Sequence, residues 1–171
     1  MDEGDTMNGN DTHTLSVFVA NKPGVLARIA QVFARRGFNI DSLVVSSTME
    51  GNFSRMTITA KGEASGLQQV IEALRKLIDV VHCVDHTGED VVVREMALVK
   101  AKVTPEERTE ALQIADHFAA KTVDLTESSM ILMVTGNTDK LDAMIKLMGK
   151  FKLIELVRTG KVVMARGDEE T

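Results

Sequence analysis

The sequence predicts an α+β fold made of two small domains, each with a four-stranded antiparallel sheet and two helices on one face. Several short segments alternate polar and apolar residues, which is typical of half-buried strands. Other segments carry apolar residues at helical spacing. These segments follow the order strand, helix, strand, strand, helix, strand, and this order occurs twice along the 171 residues. It is the order of the split βαβ, or ferredoxin-like, plan.

The first half contains one complete set of these elements. Thr14–Val19 alternates polar and apolar residues and leads into a helix that stops at Gly37, the residue type favoured just past a helix C-terminus. Met56, Ile58 and Ala60 form the buried face of a later strand. The predicted elements are strand 14–19, helix 25–36, strand 38–48, strand 55–60, helix 67–78 and strand 80–84.

The second half repeats the order, about 81 residues later, with little sequence similarity. Thr104 is suited to cap a helix, because Pro105 takes the first helical position and a following Glu closes a capping box. The predicted elements are strand 95–103, a helix that begins after Thr104, strands 123–126 and 130–135, a helix that begins near Thr138 and includes Met148, and strands 153–157 and 161–165.

Composition shifts predict the domain boundaries. The predicted segments are a disordered leader (1–12), a first domain (13–88), a linker (89–93), a second ferredoxin-like domain (94–167) and an acidic tail (168–171). Each sheet leaves one face without helices, and in the first half this face carries Arg55, Thr57 and Thr59. We expect a partner to cover it, and therefore a homo-oligomer.

The composition argues against several classes of protein. The net charge is −5 and there is one cysteine, which disfavours a nucleic-acid surface and fits a reducing compartment. The RNA-recognition motif shares the βαββαβ order, but strand 54–60 lacks the aromatic residues that RNA binding requires. No apolar run approaches the ~20 residues of a membrane span, and the leader lacks the features of a signal or transit peptide. We expect a soluble, cytoplasmic protein.

Catalytic and metal-binding patterns are missing from the sequence. His82 and His86 lie about 13 Å apart if they share a strand, which is too far for one metal ion. Cys83 has no basic neighbour that would lower its pKa, so it is interpreted as a small buried apolar residue. Phosphate-loop, dinucleotide-binding and nucleophile-elbow motifs do not occur. We therefore predict no catalytic residues and no metal site.

The segment Asn21–Leu26 is the most informative in the chain, because it joins a strand to a helix through Pro23 and Gly24. A tight turn of this kind points free backbone N–H groups outward at the positive end of a helix dipole. A carboxylate or a phosphate can bind there. The alternative is a helix-start turn that binds nothing.

Several segments resemble a known family. The first half resembles an ACT domain, and the whole resembles, more narrowly, the small regulatory subunits of acetolactate synthase (acetohydroxyacid synthase). The resemblance covers residues 13–167 and is specific because both halves contribute to it. The segments that carry it are Asn21–Leu26, Arg36–Leu43, Ser54–Ile58, Arg94–Lys100 and Ile154–Val162.

This resemblance implies a non-catalytic subunit that binds a large catalytic subunit, activates it and confers feedback inhibition by valine. The partner would carry thiamine diphosphate, Mg²⁺ and FAD and would condense pyruvate with a second 2-keto acid in branched-chain amino-acid synthesis. Two ACT domains would pair as a homodimer with valine at their interface. The residues predicted to bind valine are Asn21, Pro23, Gly24, Val25, Leu26, Asn39 and Ile40.

Two other functions are weighed against this one. A free-standing amino-acid-sensing ACT protein would have no reason to carry the second-half segments, and a small enzyme would need a catalytic pair. Within one domain, Asn21 and Asn39 are predicted to lie at opposite ends of a twelve-residue helix, about 18 Å long at 1.5 Å per residue. A single amino acid cannot reach both residues, so either only one of the two sets binds valine or a second subunit completes the site.

Overall fold

The computed structural model describes residues 11–171 and confirms the α+β fold. The elements of the first half are β1 (Asp11–Ala20), α1 (Val25–Arg35), β2 (Asn39–Ser47), β3 (Phe53–Gly62), α2 (Ala64–Arg75) and β4 (Val80–Asp85). Its strands follow the order β2-β3-β1-β4 across an antiparallel sheet.

The elements of the second half are β5 (Val92–Lys102), α3 (Pro105–His117), β6 (Lys121–Leu125), β7 (Ser129–Gly136), α4 (Thr138–Met148), β8 (Lys152–Arg158) and the short β9 (Val162–Met164). This half repeats the topology of the first, with strand order β6-β7-β5-β8 and antiparallel neighbours. No helix among the described residues is long and apolar enough to cross a membrane.

Each half has its own apolar core, because one side of every central strand is apolar. In the first half, alternate residues of β1 and β3 lie against the buried stripes of α1 and α2, and in the second half β5 and β7 do the same with α3 and α4. Fully buried residues of the two cores include Leu15, Val17, Ile29, Phe33, Ile58 and Leu74, and then Val99, Met130, Leu132, Leu141 and Met144.

Several predicted boundaries differ from the structure, and three of them are instructive. Residues 1–10 of the predicted leader lie outside the described residues. The last two residues of the predicted leader, Asp11 and Thr12, belong to β1, because they pair with Gly62 and Lys61 of β3. The linker prediction is also too long, since β5 begins at Val92. Helix α2 ends at Arg75 instead of Ile78, because turn hydrogen bonds lead the chain into β4 and leave Ile78 exposed.

The chain separates into two compact units between Val92 and Val93, and the first unit also includes Val163–Thr171. The sequence analysis had assigned these last nine residues to the second domain and to an acidic tail. Hydrogen bonds explain their place in the first unit, since the Thr171 carbonyl oxygen accepts from the side chains of Arg55 and His82.

The helix-free face of the first sheet is less open than expected. Thr57 and Thr59 are only 4% and 5% exposed in the single chain, and Arg55 is half-buried. These residues of β3 are therefore already covered without the partner that the sequence predicted for this face. Homo-oligomerisation stays a prediction.

Candidate functional site

The candidate site is the turn between β1 and α1, which we call the elbow (Asn21–Leu26). The Ala20 N–H donates to the Asp79 carbonyl at 2.8 Å and the Asn21 N–H donates to the Asn52 carbonyl at 2.9 Å, so the end of β1 is fixed on both sides. Gly24 follows as the residue before the helix, with a φ of +83°. Only glycine adopts this left-handed conformation without a steric cost, so the sequence places its glycine where the turn requires it.

Helix α1 begins without a side-chain cap. The Val25 N–H reaches the Lys22 carbonyl at 3.4 Å, and the first short helical hydrogen bond runs from Arg28 to Gly24 at 3.1 Å. Within residues 11–171, no acceptor is found for the N–H groups of Leu26 and Ala27. The first turn also lacks an acidic residue. Unpaired N–H groups and an uncompensated helix dipole make this end of α1 attractive to an anion.

Arg28 adds a positive charge that the sequence analysis missed. Its guanidinium forms an ion pair with Asp79 at 2.5 Å, and one of its nitrogens lies 3.3 Å from the point where a Cβ on Gly24 would stand. The Arg28 side chain is 46% exposed whereas that of Asp79 is 10% exposed, so the arginine faces solvent beside the elbow. The sequence does contain one indication that Arg28 lies near the elbow. Arg28 follows Gly24 by four residues, and residues four apart share one face of a helix.

The side chains of the elbow divide into one buried residue and several exposed ones. Val25 is 3% exposed and belongs to the core, so only its backbone is available at the surface, whereas Leu26 is 43% exposed. Pro23 is exposed as well. The Asn21 side chain donates its amide N–H to the Gly51 carbonyl at 3.1 Å, which leaves the amide oxygen as the group that can accept from a ligand.

The other two predicted site residues lie at the start of β2. Asn39 is exposed and donates to the Asp41 carboxylate at 2.7 Å, and Ile40 packs against the core. Asp41 also pairs with Lys61 at 2.8 Å, and the hydrogen bond from Lys61 holds the pKa of that carboxyl below its usual value. This exposed charge pair gives the start of β2 a polar surface.

The structure does not bring the elbow and the start of β2 together within one domain. The chain at Asn21 is bonded to Asn52, next to the first residue of β3, whereas Asn39 is paired with Lys61 near the other end of β3. Phe53 and Lys61 are eight residues apart, about 26 Å at 3.3 Å per residue in a strand. The separation that the sequence predicted is therefore present.

The remaining side chains that could be reactive, Cys83, His82 and His86, are held in packing or hydrogen-bonding contacts. Burial raises the pKa of the Cys83 thiol to about 11, and the residue is 1% exposed in the core, as the sequence predicted. His82 stacks on Phe18, and the buried His86 contacts the Glu89 carboxylate at 2.8 Å. Within residues 11–171, no group of three or more His, Cys, Asp or Glu side chains is arranged to hold a metal ion.

Comparison with known proteins identifies the family. The model of the AHAS small subunit-like ACT domain matches residues 15–82, and the model of the small subunit of acetolactate synthase matches residues 94–167. A probable acetolactate synthase small subunit from Archaeoglobus fulgidus is 46% identical over 158 residues, which are 92% of this chain and 99% of the relative. The small subunit from Mycolicibacterium smegmatis is 41% identical over 160 residues, which are 94% of each chain.

A solved structure agrees with these matches. The crystal structure of the acetolactate synthase small subunit from Thermotoga maritima superposes on this chain with a TM-score of 0.83 at 35% identity. The superposition covers 93% of this chain and 99% of that one. The resemblance noted in the sequence is confirmed, and the chain belongs to the family of acetolactate synthase small subunits, with an ACT domain as its first half.

Proposed function

We propose that this protein is the non-catalytic regulatory subunit that activates the catalytic subunit of acetolactate synthase and makes it sensitive to valine. Membership of the small-subunit family implies a catalytic partner. The observation that supports a carboxylate-bearing effector is the start of α1, whose first turn has no acidic residue and whose Leu26 and Ala27 N–H groups have no acceptor among residues 11–171, with the Arg28 guanidinium beside it. We assign the condensation of pyruvate, and with it thiamine diphosphate, Mg²⁺ and FAD, to the partner.

The elbow offers a complementary group for each part of valine. The N–H groups of Gly24 and Leu26, with the Arg28 guanidinium, bind the α-carboxylate. The Asn21 amide oxygen accepts from the ammonium group. The exposed Leu26 and Pro23 side chains contact the isopropyl group, whose burial contributes about 1.5–3 kcal/mol. Alanine lacks two methyl groups and loses about 1 kcal/mol for each, so the site favours valine over alanine.

We further propose that the site is completed by a second subunit. A homodimer with two-fold symmetry places Asn39 and Ile40 of each subunit beside the elbow of the other and creates two equivalent sites. A mixed dimer with Gly24→Asp in one subunit and Asn39→Ala in the other then has both lesions in one site and an intact second site. Titration with valine should recover half of the wild-type binding capacity. Verified mixed dimers that bind no valine would refute the shared site.

The proposed function is tested by reconstitution with the catalytic subunit from the same source. The full chain should co-purify with that subunit, increase its rate of acetolactate formation, and make the rate fall when valine is added. The chain alone should turn over no pyruvate and bind no thiamine diphosphate. A chain that binds valine but neither associates with nor activates the catalytic subunit would instead be a free-standing amino-acid sensor.

A further inference from the structure

The turn that joins α2 to β4, which we call the α2–β4 turn (76–79), is bonded to the elbow region through Asp79. The Asp79 carbonyl accepts from the Ala20 N–H at 2.8 Å, and the Asp79 carboxylate pairs with Arg28 at 2.5 Å. The Val80 N–H donates to the Leu77 carbonyl at 3.0 Å, so the backbone is also held across Asp79. Asp79 therefore joins the end of β1, the first helix and the α2–β4 turn.

Asp79 also orients the Arg28 guanidinium. Its carboxylate accepts from Arg28 Nη2, whereas the other terminal nitrogen, Nη1, is the atom that lies 3.3 Å from the position of a Cβ on Gly24. A guanidinium is a rigid planar fork, so an ion pair at one nitrogen fixes the direction of the other. Asp79 is therefore a positioning residue, because it holds the arginine that faces the proposed carboxylate position.

The same turn presents an apolar side chain to solvent. Ile78 precedes Asp79 and is 98% exposed, and Val81, in β4, is 58% exposed. Lys76 is exposed as well and forms no ion pair within residues 11–171. We call Lys76, Ile78 and Val81 the β4 corner. Its chemistry suits a protein partner with an apolar pocket and a carboxylate at the border of that pocket.

The sheet order indicates which protein can cover the β4 corner. β2 and β4 are the two edge strands of the first sheet, and β3 and β1 lie between them. The proposed homodimer uses Asn39 and Ile40 at the start of β2, so a second copy of the chain is assigned to the β2 edge. The β4 edge stays available to a different protein, and the proposed function supplies one, the catalytic subunit.

We propose that Ile78 is an anchor for the catalytic subunit and that Asp79 couples this contact to the elbow, a coupling that rests on the proposed function. An effector carboxylate at Arg28 Nη1 competes with Asp79 for the position of the guanidinium. A movement of Asp79 is passed through the backbone to Ile78. Coupling between two ligands is reciprocal, so valine and the catalytic subunit change each other's affinity for this chain by the same factor.

Two affinities of the full chain separate the contact from the effector site. Biolayer interferometry measures the Kd for the catalytic subunit, and calorimetry measures the Kd for valine. Ile78→Ala should weaken binding of the catalytic subunit about tenfold, as the loss of a buried anchor does, and leave the Kd for valine unchanged. Met49→Ala is the matched control, because Met49 is 107% exposed on a turn that bonds to Asn21 but not to Arg28. It should change neither affinity.

Charge reversal tests the border of the same contact. Lys76→Glu should weaken binding of the catalytic subunit, and the loss should be larger at low salt, where surface charges are screened less. A loss that does not depend on salt would contradict a carboxylate on the partner beside Lys76.

Asp79→Asn tests the coupling. It keeps the shape and the backbone carbonyl but removes the charge that holds Arg28, so the Kd for valine should rise about fivefold. The factor by which valine changes the affinity for the catalytic subunit should fall towards one. Glu95→Gln is the control, because it breaks a buried ion pair of the second domain, with Arg158 at 2.7 Å, and it should leave the Kd for valine unchanged. Equal loss of valine affinity in the two variants would overturn the positioning role.

The remaining outcomes are distinct. Wild-type affinity for the catalytic subunit in Ile78→Ala, or an equal loss in Met49→Ala, would overturn the anchor. Loss of the homodimer in Ile78→Ala, measured by sedimentation, would show that a second copy covers the β4 corner and would overturn it too. These results leave the proposed function intact. A wild-type chain that does not bind the catalytic subunit would refute that function, and the anchor with it.

Discussion

The two domains share one topology but begin their first helix in opposite ways. Helix α1 starts after Gly24, with no side-chain cap and no acidic residue in its first turn. Helix α3 starts after Thr104, whose hydroxyl accepts from the Glu107 N–H at 3.3 Å, while the Glu107 carboxylate accepts from the Thr104 N–H at 2.9 Å. The same position in the fold therefore lacks an anionic partner in one domain and supplies its own in the other.

Each domain has an arginine four residues after the residue that precedes its first helix, and the two arginines also have different partners. Arg28 reaches the Asp79 carboxylate beside the elbow and is partly exposed. Arg108 donates instead to the carbonyls of Thr126 and Glu127, at 3.1 and 2.7 Å, and so holds the turn between β6 and β7. The second domain uses its helix start and its arginine for stability. The first domain leaves both near the surface, which is what a ligand site requires.

The largest expected effect comes from placing a carboxylate at the uncapped start of α1, which we call the open helix start. Gly24→Asp fills the anion position and repels the ligand's carboxylate, so we expect the valine concentration for half-inhibition of the reconstituted enzyme to rise at least a hundredfold. The structure adds one cost that the sequence analysis did not include. At a φ of +83°, any side chain adds a backbone strain of about 1–2 kcal/mol.

Gly24→Asn is the matched control for this strain. Asparagine has nearly the same shape and suffers the same backbone cost, but it brings no charge. The enzyme reconstituted with Gly24→Asn should lose less valine sensitivity than the one with Gly24→Asp. Urea unfolding should show the same decrease in the free energy of unfolding for both variants. Equal loss in the two variants would assign the effect to the backbone, and full sensitivity in Gly24→Asp would remove the elbow as the carboxylate site.

A smaller effect is expected from the paired arginines. Arg28→Gln removes a charge beside the proposed carboxylate position, and we expect about a tenfold weaker response to valine, which corresponds to about 1.4 kcal/mol. Arg108→Gln removes the equivalent arginine of the second domain and should leave the valine response unchanged. Valine titrations of acetolactate formation measure both. A similar loss of valine response in the two variants would mean that Arg28 has no closer connection to the valine site than Arg108.

Local patterns made much of this comparison predictable from the sequence. The capping box at Thr104 and the glycine of the elbow depend on residues within one turn, so their residue types identify them. The role of Arg28 depends on Asp79, and the docking of Thr171 depends on Arg55. Contacts of this kind join residues that are far apart in the sequence, and no local periodicity records them.

The closed helix start of the second domain should contribute to stability only. Thr104→Ala removes the cap and should lower the free energy of unfolding by about 1 kcal/mol. Thr104→Ser keeps the hydroxyl and should cost only a fraction of this. Urea unfolding of the full chain measures both variants, and valine inhibition of the reconstituted enzyme should be unchanged in both. A change in valine sensitivity would contradict the assignment of separate roles to the two helix starts.

The smallest expected effect is on a titration, and it tests directly whether these helix starts stabilise anions. The backbone N–H at the start of α3, with the Thr104 hydroxyl, lowers the pKa of the exposed Glu106 carboxyl. Its charged form is therefore favoured in the folded chain at a pH above its ordinary pKa, and this preference is lost as the pH falls. A carboxyl ¹³C NMR titration should give Glu106 a pKa below the ordinary value of a glutamate side chain. In Thr104→Ala the pKa should rise but stay below the usual value, because the backbone N–H remains. An unshifted Glu106 in the wild-type chain would mean that a helix start in this fold does not attract a carboxylate, and the argument for the open start of α1 would fail with it.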